Sequence, residues 1–208
     1  VNICIRPSQP ADSALAVKLI HLSMGSEMDW LFGQEAGYPA EAVMAALYAR
    51  RGNRFSWDLC WVAEADGQAV GLLLAFAGRR LPVLEAVTGL HLLGIFGLRA
   101  TLRLLRKQRL YGDLVEARPD EFYVSNVGVL PEFQGRGIGG ALLDLAEEQA
   151  RAAGLGKCSL LVVQDNPALR LYRRRGYEIV TSYSFPVPEI DHGFYRMVKQ
   201  LQQLTTND

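Results

Sequence analysis

Apolar positions in this chain recur with two periods, near two and near 3.6 residues, and the order of those runs predicts the fold. Residues 2–6 alternate weakly and end at Pro7, which predicts a short strand. Over residues 11–24, Leu15, Leu19 and Leu22 form one stripe with Ala16 and Ile20 beside it. That spacing predicts an amphipathic helix, with Asp12 near its start and Gly25 breaking the pattern. A second helix is predicted from residue 39 or 40 to 51, closed by Gly52. Between the two lies a predicted loop rich in aromatic and acidic residues, among them Glu27, Asp29, Trp30, Phe32, Glu35 and Tyr38. Residues 57–65 and 68–77 are apolar runs around Asp66-Gly67, a hairpin signal.

Residues 81–94 and 95–110 read as helices within a 78–119 insert, with Leu98, Leu102 and Leu105 on one side and Arg99, Arg103, Arg106 and Lys107 on another. An apolar β-rich run at 122–130 then leads through Pro131 and a glycine-dense loop into a helix marked by Ile138, Ala141, Leu142 and Leu145. Residues 158–163 read as a buried strand, and Asp165-Asn166-Pro167 starts a short helix that Gly176 stops. Strands at 177–183 and 193–201 complete a mixed α/β order of elements, read as one domain over residues 1–208.

Composition narrows the function classes. Half of the 208 residues are hydrophobic and 21% are charged, as in a soluble globular protein. The 22 Lys plus Arg balance the 22 Asp plus Glu, so net charge does not call for a nucleic-acid partner or an anionic membrane. Cys4, Cys60 and Cys158 are far apart and form no C-x-x-C pair, which predicts neither a disulfide framework nor a bound metal and suits a reducing cytoplasm. The longest uncharged apolar run, 86–98, falls short of the roughly 20 residues that span a bilayer, so no membrane span is expected. No N-terminal secretory signal is visible.

The glycine loop carries the chemistry. Gly135, Gly137, Gly139 and Gly140 lie between a strand and a helix N-terminus, where unpaired amides and the positive end of the helix dipole favour phosphate. Gly135, Gly137 and Gly140 also satisfy G-x-G-x-x-G. However, Pro131-Glu132-Phe133-Gln134 separates that turn from its strand, the usual acidic residue about 20 positions on is missing, and too little chain follows for a second dinucleotide half.

Gln134, Gly137 and Gly139 match Q/R-x-x-G-x-G/A after a V-x-V-x-P approach (Val127, Val129, Pro131), and N-P-A-L-R-L-Y-R-R-R-G-Y (residues 166–177) follows one strand later. Together these resemble the acetyl-CoA signature and the second conserved element of the GCN5-related N-acetyltransferase (GNAT) superfamily, closely over 122–177. The resemblance implies a twisted, mostly antiparallel sheet with one splayed parallel pair at its centre and helices on both faces. It implies acetyl-CoA held by the backbone of Val127, Gly128 and Val129, by Gln134, by the amides of Gly135, Arg136, Gly137, Ile138, Gly139 and Gly140, and by Asn166 and Tyr172. The implied chemistry is direct attack of a primary amine on the thioester, which needs a neutral amine, a stabilised oxyanion and a proton for the thiolate, with Tyr172 as the acid.

The family's asparagine commonly stands seven positions before its tyrosine, whereas Asn166 stands six before Tyr172 and Asp165 holds the counted position. Either the turn is shortened or Asn166 caps the helix. Glu121, Tyr123 and Ser125, at alternating strand positions, either face the acceptor amine or serve packing. Trp30 with its loop, the insert, and the 183–192 turn with Glu189 and Asp191 are candidates for the acceptor wall, suited to a cationic small-molecule or peptide amine. Arg170, Arg173, Arg174 and Arg175 read as a solvated face or as a contact for a CoA phosphate. A monomer or homodimer is expected. The alternative reading is a non-catalytic acyl-CoA-sensing or interaction module on the same fold.

Overall fold

Strand β3 (Gln68–Ala77) is apolar on both faces, and every side chain from Val70 to Phe76 is buried, so it must lie inside a sheet with helices above and below. The computed structural model describes residues 2–33, 38–185 and 193–202, and in it β3 pairs antiparallel with β2 (Cys60–Ala65) on one side and β4 (Phe122–Val129) on the other. β1 (Ile3–Pro7) flanks β2. Beyond β4 come β5 (Lys157–Val163), β7 (Phe194–Gln200) and β6 (Glu178–Tyr183), giving the order β1-β2-β3-β4-β5-β7-β6. Among the described residues only β4 and β5 run parallel. The expected mixed α/β sheet, mostly antiparallel with one central parallel pair, is therefore present.

The helices are α1 (Ser13–Met24), a single turn α2 (Ser26–Met28), α3 (Ala40–Tyr48), α4 (Leu81–Arg109), α5 (Ile138–Ala152) and α6 (Leu169–Arg174). Neighbouring residues of β4 show that α1 and α5 cover opposite faces. A Cβ on Gly128 would stand 2.9 Å from the Leu19 carbonyl oxygen of α1, whereas Val129 reaches toward Gly139 of α5. On the α5 face, Ile138, Leu142, Leu143, Ala146 and Ala150 are fully buried against β3 and β4. Each such aliphatic side chain contributes about 1.5–3 kcal/mol on leaving water.

Three expectations change in detail. Residues 57–59 form a 3-10 turn rather than the start of a strand, because Asn53 Oδ1 accepts the Phe55 N–H (2.8 Å) and Leu59 N–H bonds back to Ser56 (3.0 Å). The aromatic and acidic loop is instead α2 followed by a π-helical turn (Asp29–Gly33), anchored by buried Met28 and Phe32, four residues apart on one face. Glu35 lies outside the described residues. The two insert helices are present within Leu81–Arg109, but they divide at Gly97, whose φ of 76° and ψ of 177° are non-helical, rather than between residues 94 and 95. Counted across that break, the run from Gly78 to Arg109 is by length and composition long and apolar enough to cross a membrane.

Gly128→Ala tests the α1–β4 contact. The added methyl meets backbone that cannot rotate away, and a stability loss of about 1–3 kcal/mol is expected by denaturant titration.

Candidate functional site

The parallel pair is short. β4 and β5 are in register only at Phe122↔Cys158, Tyr123↔Ser159 and Val124↔Leu160, after which the strands part. A bulge marks the parting: on the β3 side Leu74 faces Asn126 and Ala75 faces Val124, so Ser125 has no opposite number. The extra residue bends β4 away from its neighbour. Past the bulge, the Leu130 N–H reaches the Val70 carbonyl at 2.9 Å, so alternate residues back to Gly128 direct their main chain at β3. Val127 and Val129, out of phase with these, direct theirs into the fork, where no described strand pairs with them. Gln134 Nε2 donates to the Val129 carbonyl at 3.1 Å, the one fork-facing group that a side chain reaches among the described residues.

Beside the fork, Gly137 caps α5 with φ 86°, a left-handed conformation that costs glycine little. The Ala141 N–H is the first of the helix to find an acceptor, Gly137 C=O at 3.0 Å. The amides of Gly135, Arg136, Gly137, Ile138, Gly139 and Gly140 have none among the described residues, so they form a row of donors at the positive end of a fifteen-residue helix. Ile138 buries its side chain in the core and thereby anchors the row. The Arg136 guanidinium lies over the Phe133 ring (5.0 Å) and donates to Glu132 C=O (3.0 Å). Gly140 lacks a side chain for a second reason: a Cβ there would sit 2.2 Å from Arg175 Nη2, and Arg175 is paired with Asp144 at 2.5 Å.

α6 follows β5 across the fork. Asn166 Oδ1 accepts the Ala168 N–H (2.8 Å) and its carbonyl accepts the Leu169 N–H (3.0 Å), so Asn166 closes an Asx turn two residues ahead of the N-cap, Ala168. Tyr172 is 7% exposed, edge-on to Tyr177 at 6.1 Å, and its hydroxyl has no hydrogen-bond partner among the described residues. Burial alone raises its phenol to about 12, so it holds its proton at neutral pH.

On the α1 face the fork is lined differently. Ser125 Oγ donates to Asn126 Oδ1 (3.0 Å), and Asn126 Nδ2 donates to Ser23 Oγ of α1 (2.9 Å). Glu121 is not available to an acceptor: it is buried, pairs with equally buried Arg196 of β7, and accepts the Arg118 N–H at 2.9 Å. Tyr123 is buried too, with its hydroxyl on Glu116 Oε2 at 3.0 Å and its phenol raised by burial and by that carboxylate. Burial pushes Glu116 up, but the doubly bonded Arg54 guanidinium (3.1 and 2.5 Å) outweighs it and holds the carboxyl below its ordinary range. Trp30 packs edge-on against Tyr111 (5.8 Å), which also meets Phe185 (5.3 Å) and Phe194 (6.5 Å), and Tyr111 donates to Glu27 Oε1 at 2.9 Å. Glu189 and Asp191 lie outside the described residues. Away from the fork, His21 bridges Asp29 (3.2 Å) and Glu41 (2.9 Å) between α1 and α3.

The model of the Acetyltransferase (GNAT) family matches residues 27–177, which spans the hairpin, the fork, the glycine loop and α6. The chain belongs to the GNAT family. Solved structures agree in fold. An N-acetyltransferase from Staphylococcus aureus Mu50 is 19% identical, with a TM-score of 0.67 over 94% of this chain and 99% of that one. A crystal structure described as an acetyltransferase is 23% identical, with a TM-score of 0.63 over 96% and 100%. The NatC complex bound to Gag peptide and CoA is 12% identical, with a TM-score of 0.54 over 97% and 100%.

In this GNAT chain Gln134 reaches Val129 beside the parted strands, Gly139 of the donor row lies against Val129 and against Leu171, the residue before Tyr172, and Trp30 packs on Tyr111. Gly128 pairs with β3 instead, and Glu121 and Tyr123 are committed to ion-pair networks. Sequence reasoning missed Asn126, Ser23, Tyr111 and Glu116. A polar Asn inside an apolar strand was the one available signal, because Ser23, Tyr111 and Glu116 find Asn126, Glu27 and Arg54, respectively, only through long-range packing.

Glu121→Ala strands Arg196 as a buried cation. A loss of about 3–5 kcal/mol is expected in chemical unfolding, with α-helical signal otherwise retained.

Proposed function

We propose that this protein transfers an acetyl group from acetyl-CoA to a primary amine. The observation that carries this reading is the fork, where the main chain of Val127 and Val129 lies open beside a row of six unpaired helix-terminal amides. Those two features suit the two ends of one ligand: an amide-bearing arm that adds to β4 like a strand, and a pyrophosphate for the residues 135–140 cradle. A similar fold bound to CoA supports the same assignment. Acetyl-CoA supplies the activated acyl group and a thiolate leaving group.

The chain supplies the rest. The Val127 N–H, fixed by strand geometry, offers a hydrogen bond to the oxygen that gains charge. Tyr172, protonated and without a competing partner among the described residues, gives its proton to the departing sulfur, and the proton that the acylated nitrogen releases to solvent restores the phenol. The amine arrives from the α1 face, past Ser125 and Asn126, with Glu27 and the Trp30–Tyr111 cluster at its flank. Glu116 is held anionic by Arg54, which makes it a poor base but a fixed negative charge near that approach. A cationic amine in small molecules or at a peptide terminus is the acceptor class that such acidic and aromatic surroundings suit.

Calorimetry tests the binding claim: saturable CoA binding is expected, and its absence would remove the reading. Tyr172→Phe is expected to lower kcat roughly 100-fold or more while the affinity for acetyl-CoA changes little; unchanged turnover would take Tyr172 out of the acid role. The pH profile carries a further sign. Attack needs a neutral amine, so kcat/KM rises with pH toward the acceptor's own pKa, and because Tyr172 keeps its proton to about 12 no alkaline fall from it is expected below that.

A further inference from the structure

The outward side of α4 is apolar and bare. Its inward stripe, Leu84, Thr88, Leu92, Thr101 and Leu104, is buried against the domain. Facing away are Val83, Leu90, Leu93, Leu98, Leu102 and Leu105, whose exposure runs from 40% at Leu93 to 66% at Leu90. An 18-residue stretch of this helix has a mean hydropathy of 1.7 with 17% of it buried, the reverse of a core helix. The exposed residues fall in two rows on either side of the break at Gly97, Val83 to Leu93 and Leu98 to Leu105, of roughly 15 Å and 10 Å at the helical rise.

Charge selects among occupants. The chain is neutral overall, yet residues 79–112 hold seven cations (Arg79, Arg80, Arg99, Arg103, Arg106, Lys107, Arg109) and one acid, Glu85. Arg103 and Lys107 also contact the protein itself, Lys107 through the Trp30 carbonyl. Arg79 and Arg80 stand just before the helix N-terminus, where a cation opposes the helix dipole, so helix stability does not account for them. Exposed leucines bracketed by arginines at both ends of a helix match a surface that is apolar beneath and anionic above. The buried inward stripe argues for lying on such a surface rather than crossing it, since a crossing would strip α4 from the core.

We propose that the outward face of α4 docks in the interface of an anionic lipid bilayer, with its leucines at the acyl boundary and its arginines among the headgroup phosphates. The proposal is independent of the acetyl-transfer reading. The test is flotation of the full chain with phosphatidylcholine vesicles that do or do not contain about one-third phosphatidylglycerol. Flotation is expected only with the anionic vesicles, and high salt should release the protein by screening its cations. Arg99→Glu with Arg106→Glu should weaken partitioning at least about 25-fold, and Leu98→Gln with Leu102→Gln about 10-fold or more, with unchanged thermal melting because all four side chains are exposed. No flotation, equal flotation with neutral vesicles, or substitutions without effect would overturn the proposal. So would a wild-type dimer that ignores vesicles and becomes monomeric in the leucine variant, which would make this face a contact between two copies of the chain.

Discussion

A central strand that loses its partner half-way along is expensive, because a buried amide without an acceptor costs on the order of 1–3 kcal/mol. The architecture depends on how β4 meets that cost. Val124 is its last residue paired with β5, and everything built around the parting either satisfies the freed main chain or leaves it for a ligand. Gln134 satisfies one carbonyl. The bulge at Ser125 keeps the pairing with β3 intact through Val129 while the other edge opens. The opening is therefore specified by a single extra residue.

Opposed helices hold that opening in shape. α1 approaches β4 so closely that only glycine fits at position 128, and α5 buries Ile138 and Leu142 against the hairpin strands where Gly71 admits them. With both faces clamped, the fork cannot close by sliding, and the donor row at the start of α5 keeps its position relative to β4. Glu121, which sequence alone would place at the site, serves this scaffold instead through Arg196, and Tyr123 does so through Glu116 and Arg54.

Much of this was legible in the residues. Apolar periodicity located the described strands and the longer helices to within a few residues, and the glycines with Gln134 located the donor row, because both signals are local. The polar contacts of α1, β4 and the end of the insert were not legible, because Ser23 with Asn126, Tyr111 with Glu27 and Glu116 with Arg54 join residues at least 62 positions apart, and nothing in their spacing announces the pairs. Alternation along β4 suggested Glu121, Tyr123 and Ser125 as companions. The bulge broke that period, and a buried arginine claimed the first of them. The division of the insert helices at Gly97 was placed a few residues too early, since Gly94 is a glycine too and only the backbone shows which of them leaves the helix.

Arg175 reaches from α6 across bare Gly140 to Asp144, and Leu171 packs beside Gly139. The ion pair is half in water and contributes modestly by itself. Mechanically, though, it rivets the helix that carries Tyr172 to the helix that carries the amide row. The spacing between the helix that carries Tyr172 and the amide row is thus set at two points, one polar and one apolar, neither of which involves α1 or the insert.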